Sequence, residues 1–237
     1  MPRPLYLTFD DGPDPKWTPR VLDLLARHDA AATFFVLGWR VRERPDLVRE
    51  ILDAGHRVEL HGDAHLDHEA STPQQLADDT LRALDELGKC GVVPQWWRVP
   101  FSRAGRATLP LAERHGLRIA SWDADSFDWR GDSWADQSTD VAELAALGGV
   151  IQLHDAVQLG MPRGDARNTL EITEELLEAA HRHGTPVLAF PPASTDEPIR
   201  DTPRQTPFAR SQKSVRQWKQ EIAAAEAARR RSSDRGL

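Results

Sequence analysis

A chain of 237 residues, 40% hydrophobic and 28% charged, is long enough to enclose one continuous core, and its composition excludes a disordered or fibrous protein. The net charge of −7 divides into an acidic body of −13 and a basic tail of +6 over residues 200–237, so the body is a poor electrostatic match to nucleic acid or an anionic membrane surface. Cys90 is the only cysteine, which excludes an intrachain disulfide and leaves any metal to histidine and carboxylate ligands.

Short β-branched or aromatic runs alternate with helix-period segments. Seven strands are expected at 4–9, 32–37, 57–60, 96–99, 117–121, 149–153 and 186–189. Helix starts are marked by Thr18-Pro19, by Pro45 with Gly55 beyond it, and by Thr72-Pro73 with Gln75 completing a capping box. Gly116 and Gly184 read as helix C-caps. The alternation predicts an α/β protein with a parallel sheet, open or closed into a barrel; in a parallel barrel the chemistry gathers at the C-terminal strand ends. From Pro191 a Pro-rich polar stretch reads as a linker, so the catalytic domain is expected over 1–192. Residues 193–237 then form a basic C-terminal extension, helical over 214–231, with Trp218 docked on the body.

Polar groups do gather after the predicted strands. The first strand runs into Asp10-Asp11-Gly12-Pro13, where adjacent carboxylates repel unless a cation holds one and a proton-accepting role occupies the other. A solvated Asx turn fits this segment equally well when it is taken alone. After the third strand, His61 and His65 stand four apart, a spacing that puts both imidazoles on one face of a helical turn. With Asp11 they make a two-histidine, one-carboxylate set that suits a divalent first-row metal; two surface histidines are the alternative. Arg98, beside an apolar strand, needs a carboxylate if it points inward, and Asp10 is the natural partner. The segment 122–129 interleaves acids with aromatics, as a sugar-binding wall or a packed loop does. His154 ends the sixth strand and, paired with a carboxylate, is held protonated to serve a leaving group.

These segments, in this order, resemble the polysaccharide deacetylases of carbohydrate esterase family four, the NodB-homology domain, over roughly residues 4–190. The TFDDGP motif stands at Thr8–Pro13, the histidine motif at His61 and His65, the third motif at Arg98 to Ser102, the fourth at Asp125 to Trp129, and the fifth at Leu153-His154-Asp155. The resemblance implies a distorted (β/α)7 barrel, with Asp11, His61 and His65 as ligands of a divalent metal: zinc first, with cobalt, nickel or manganese as alternatives. It implies Asp10 as the base, His154 as the general acid, Arg98 orienting Asp10, and Asp125 tuning His154. The Phe101 backbone N–H would stabilise the oxyanion, and Trp129 and Leu153 would line an acetyl pocket. Two departures stand out: Gly62 replaces the Ser or Thr that usually follows the first histidine, and Phe101-Ser102 replaces Tyr-Gly.

The implied activity is removal of an N-acetyl group from an amino-sugar-containing oligo- or polysaccharide, with an O-acetyl ester or a small acylated metabolite as the alternative substrate. A non-catalytic carbohydrate-binding protein would have shed its base, ligands or acid first, and all are intact. Residues 1–10 lack a signal-peptide core and no run of about 18 apolar residues follows, so the chain as written is expected to be cytoplasmic, which favours a soluble substrate over a wall polymer. Trp96, Trp97, Trp122, Trp129 and Trp134 are expected near the mouth, where they favour a ring-shaped substrate. The oligomeric state is open.

Overall fold

A computed structural model describes residues 3–130, 145–158 and 164–193. Trp134, the helix expected over 214–231 and Trp218 lie outside the described residues.

Seven parallel strands form one sheet in the order β5-β4-β3-β2-β1-β7-β6. They are β1 (Leu5–Asp10), β2 (Thr33–Val36), β3 (Arg57–Leu60), β4 (Trp96–Trp97), β5 (Arg118–Ile119), β6 (Ala124–Asp125) and β7 (Gly149–His154). β5 and β6 are opposite edges of the sheet, yet only residues 120–123 join them. Those residues reach at most about 18 Å, whereas a flat seven-stranded sheet would hold its edges about 29 Å apart. The sheet therefore curls into the expected distorted barrel.

One expected strand changes identity. Residues 186–189 make a single bridge, Val187 to Leu5, and wedge between the starts of β1 and β2, with Leu5 N donating to Pro186 O and Ala31 N to Val187 O. The seventh strand of the sheet is the two-residue β6, inside the segment read from sequence as a loop or wall.

The sheet is joined by helices α1 (Thr18–Arg27), α2 (Gly38–Glu43), α3 (Pro45–Asp53), α4 (Pro73–Lys89), α5 (Thr108–Arg114) and α6 (Arg167–His183), with single 3-10 turns at Pro100–Ser102 and Asp128–Arg130. The capping box of α4 is present in both directions: Thr72 N donates to Gln75 Oε1 at 2.8 Å, and Gln75 N donates to Thr72 Oγ1 at 3.3 Å. Gly184 caps α6 in the left-handed region, as expected. Among the described residues no helix is long and apolar enough to cross a membrane.

Strand alternation sorts side chains into two cores. Leu5, Leu7, Phe9, Phe34, Val36, Trp97, Ile151 and Leu153 face the helices in the main cluster. Inside the barrel a second cluster holds Phe35, Val150 and Phe190, with Tyr6, Trp96 and Trp122 packed against it. Phe190, which sequence reasoning missed, meets Tyr6, Phe35 and Trp96 edge-on at 5.5–5.9 Å between ring centroids. Of the tryptophans expected at the mouth, Trp97 is buried under the helices, Trp96 packs in the inner core with its indole N–H on Pro191 O at 3.1 Å, and Trp122 packs against the same inner cluster with Arg98 5.4 Å over its ring. The inner core is apolar at the starts of the strands and polar at their ends, where Thr8, Asp10, Gln152 and His154 follow on the same faces.

The turn after β1 is tightly confined. A Cβ on Gly12 would lie 2.3 Å and 2.5 Å from the two carboxylate oxygens of Asp155, which is buried and hydrogen-bonded by the Thr18 hydroxyl. Asp155 cannot swing aside without breaking that bond, so Gly12→Ala is expected to destabilise the fold by about 1–3 kcal/mol. A urea midpoint equal to that of the wild type would refute this.

Candidate active site

Asp10 ends β1 and Asp11 follows it in a left-handed conformation, φ 75°, that turns the two side chains apart. Both are buried. Asp10 Oδ1 accepts from Arg98 Nη1 at 2.9 Å, and Asp10 Oδ2 accepts from Gln152 Nε2 at 2.7 Å. Arg98, 0% exposed, also donates to Thr8 Oγ1 at 2.6 Å and lies over the Phe35 ring at 4.2 Å. The pairing of Arg98 with Asp10 is the one anticipated from sequence.

Asp11 faces the two histidines. Nε2 of His61 and Nε2 of His65 each stand 3.3 Å from Asp11 Oδ1, and the potential ligand atoms of the three residues lie within 4.8 Å of one another. Neither Asp11 oxygen receives a well-directed hydrogen bond. A buried carboxylate left this way is costly unless a cation faces it, so the residues fit a metal ion. His61 Nδ1 lies 2.7 Å from the Arg98 carbonyl, which fixes the proton on Nδ1 and turns the Nε2 lone pair toward Asp11. Burial alone would raise the Asp11 pKa; the His61 and His65 imidazoles reverse this and hold the carboxyl well below the usual carboxylate range. Burial lowers His65 to about 4 against the pull of Asp11, so its imidazole is neutral at physiological pH, the form that could hold a metal.

The histidines do not meet on a helical turn. Residues 61–65 form a loop in which Gly62 has φ 98° and His65 φ 54°, and these two left-handed residues bring the rings to 5.1 Å between centroids. The four-residue spacing is right, but its local geometry is not helical because the loop is bonded to α2 and α4 rather than to itself.

His154 ends β7 directly beside Asp10 in the β1–β7 ladder. Its Nδ1 lies 2.8 Å from Asp128 Oδ1, and its backbone N donates to Asp128 Oδ2 at 2.9 Å. Thr169 of α6 donates to the same Oδ2 at 2.6 Å. Burial disfavours the charged imidazole, but the Asp128 carboxylate outweighs it, with Asp11 and Asp10 adding to the effect, and His154 is pushed up to about 9. The carboxylate on His154 is therefore that of Asp128, which corrects the expectation for Asp125. Asp125, on β6, instead accepts from Phe127 N at 2.8 Å and from the Trp129 indole N–H at 3.5 Å, within its own loop. Burial pushes Asp125 up to about 6, and His154 acts on it only through its charge.

Two other expectations divide. Phe101 is half exposed, with φ 54°, and its ring packs edge-on against His65 at 4.4 Å, so it stands at the mouth beside the Asp/His/His cluster. Trp129 is partly buried near Phe127. Leu153 does not reach the site: it pairs with Phe9, is fully buried in the helix-side core, and lies on the face of β7 opposite His154. Gln152 occupies the inward face instead. Strand alternation counted back from His154 points to Gln152, a signal already present in the sequence.

A polar cup at the C-terminal ends of a parallel barrel's strands, with an Asp/His/His cluster, a braced carboxylate beside it and a His–Asp pair across the ladder, is an α/β-barrel site of hydrolytic type. Residues 1–120 match the family model described as polysaccharide deacetylase. The chain belongs to that family, carbohydrate esterase family four with NodB homology. It is 31% identical to a chitooligosaccharide deacetylase of Bradyrhizobium sp. over 200 residues, spanning 80% of this chain and 90% of the relative. A peptidoglycan-N-acetylglucosamine deacetylase of Bacillus cereus is 36% identical over 153 residues, 64% of this chain and 72% of that one. A family 4 carbohydrate esterase from Streptomyces lividans, solved in complex with acetate, superimposes with a TM-score of 0.69 at 27% identity, covering 78% of this chain and 91% of that structure.

Proposed function

We propose that the protein hydrolyses the N-acetyl group of an amino-sugar-containing oligosaccharide with the help of a divalent metal, zinc in the first instance, held by Asp11, His61 and His65. The observation that carries this reading is the buried Asp11 carboxylate, without a well-directed donor, facing two imidazole Nε2 atoms beside the braced carboxylate of Asp10. When bound, such an ion supplies Lewis acidity: it polarises a carbonyl oxygen and makes a water molecule acidic near neutral pH.

The remaining steps belong to the chain's own groups. Asp10, held by Arg98 and Gln152 through both oxygens, accepts the proton of the attacking water. The backbone N–H of Phe101, whose ring packs against His65, stabilises the oxyanion. His154, held charged by Asp128 through Nδ1, presents Nε2 as the proton donor to the departing amine. Trp129 lines the acyl side of the cup. Names of relatives that act on chitooligosaccharides and peptidoglycan N-acetylglucosamine support the sugar as substrate class.

Acetate release from chitooligosaccharides, N-acetylglucosamine and an aryl acetate, with zinc-loaded and chelator-treated enzyme, tests this proposal. Release from the oligosaccharides that chelation stops and zinc restores is the expected result. Release from the aryl ester alone would turn the assignment to an O-acetyl esterase. No release from any of them by zinc-saturated enzyme would refute the sugar substrate.

A further inference from the structure

The loop that carries the second histidine is strained, with a left-handed residue at each end of 62–65. Such a loop persists only when its surroundings over-determine it. From one side α2 holds it, with Gly38 N donating to Gly62 O at 2.9 Å. From the other side stands Asp79, 2% exposed on α4, eighteen residues beyond His61. Asp79 Oδ2 accepts from the backbone N–H of Asp63 at 2.8 Å, and Oδ1 accepts from that of Ala64 at 2.9 Å. One carboxylate thus clamps two of the three peptide units between Gly62 and His65.

Gly62 and this clamp depend on each other. A Cβ on Gly62 would stand 3.0 Å from Asp79 Oδ2, so the carboxylate occupies the space into which a hydroxyl-bearing side chain at 62 would extend. Arg82, one turn further along α4, stands 3.8 Å from Asp79 Oδ1 and 3.1 Å from Asp63 Oδ2, and so ties the same loop to the same helix.

We propose that Asp79 is a positioning residue for the metal site: its bidentate hold on the 63 and 64 amides sets His65 against Asp11 and takes over the bracing that Gly62 cannot supply. The proposal rests on the metal-site reading above. A ligand so pre-placed loses less freedom when the ion binds, which appears as metal affinity.

The test is zinc titration of the metal-free protein in competition with a chromophoric chelator, for Asp79→Asn, Asp79→Ala and His65→Ala. Circular dichroism and urea unfolding are recorded on each metal-free variant. Asp79→Ala is expected to weaken zinc binding by about 10- to 100-fold, in the range seen when support behind a ligand is removed. Asp79→Asn, nearly isosteric with one acceptor oxygen, should fall in between, and turnover in both should recover at saturating zinc. His65→Ala should lose the site. Unchanged affinity in folded Asp79 variants, with His65→Ala defective, overturns the role of Asp79 alone, as does a loss that merely tracks the unfolded fraction. Wild-type zinc affinity in His65→Ala overturns the metal-site reading itself.

Discussion

Asp10→Asn is expected to lower the rate of deacetylation by about 100- to 10,000-fold while still binding one metal ion, whereas its neighbour's replacement, Asp11→Ala, should abolish metal binding and turnover together. The difference comes from backbone geometry. The left-handed φ of Asp11 sends its carboxylate to His61 and His65, and that of Asp10 to Arg98 and Gln152. Asparagine at position 10 keeps an acceptor for Arg98, so the fold survives and the lost proton acceptor is isolated. Isothermal titration with zinc, paired with acetate release, separates the two. Equal loss of metal in both variants would mean that the adjacent carboxylates share one task.

Asp128→Asn is expected to reduce the rate by a factor on the order of 100 or more, and Asp125→Asn by much less, because of these two carboxylates Asp128 is the one hydrogen-bonded to His154 while Asp125 bonds within its own loop. The same pair predicts a pH dependence of stability. His154 titrates near 9 in the folded protein against about 6.5 unfolded, so its contribution is fully present below pH 6.5 and is lost as pH rises through 9. Urea unfolding of chelator-treated protein between pH 6 and 10 should therefore show a decline in wild type that flattens in Asp128→Asn and persists in Asp125→Asn. Flattening in Asp125→Asn instead would return the tuning role to that residue.

The chain itself announced much of this. TFDDGP, the two histidines, Arg98 and His154 each stand at or just beyond the end of a strand whose β-branched or aromatic run is visible in the sequence, and a parallel barrel delivers such positions to one mouth. The capping box at Thr72 and the Gly184 cap are local devices, set by residues within four positions of each other, so they too were legible. Gln152 was legible but overlooked, since alternation alone separates it from Leu153.

What the tertiary structure decided involves partners far apart in the chain. The pair Asp125 and Asp128 offers two carboxylates three residues apart, and nothing local selects the one that meets His154, 26 residues beyond Asp128. That choice waits for β6 to pair with β7 and for Thr169 of α6 to seat Asp128. The loop between His61 and His65 likewise takes its shape from Asp79 and α2, and residues 186–190 leave the sheet to close the barrel floor with Phe190. Sequence by itself determined which side chains stand at the strand ends, because strand period and capping act between near neighbours. Only the curling of the sheet and the packing of helices on it determined which of them touch, because each contact depends on several strands and helices being in place together.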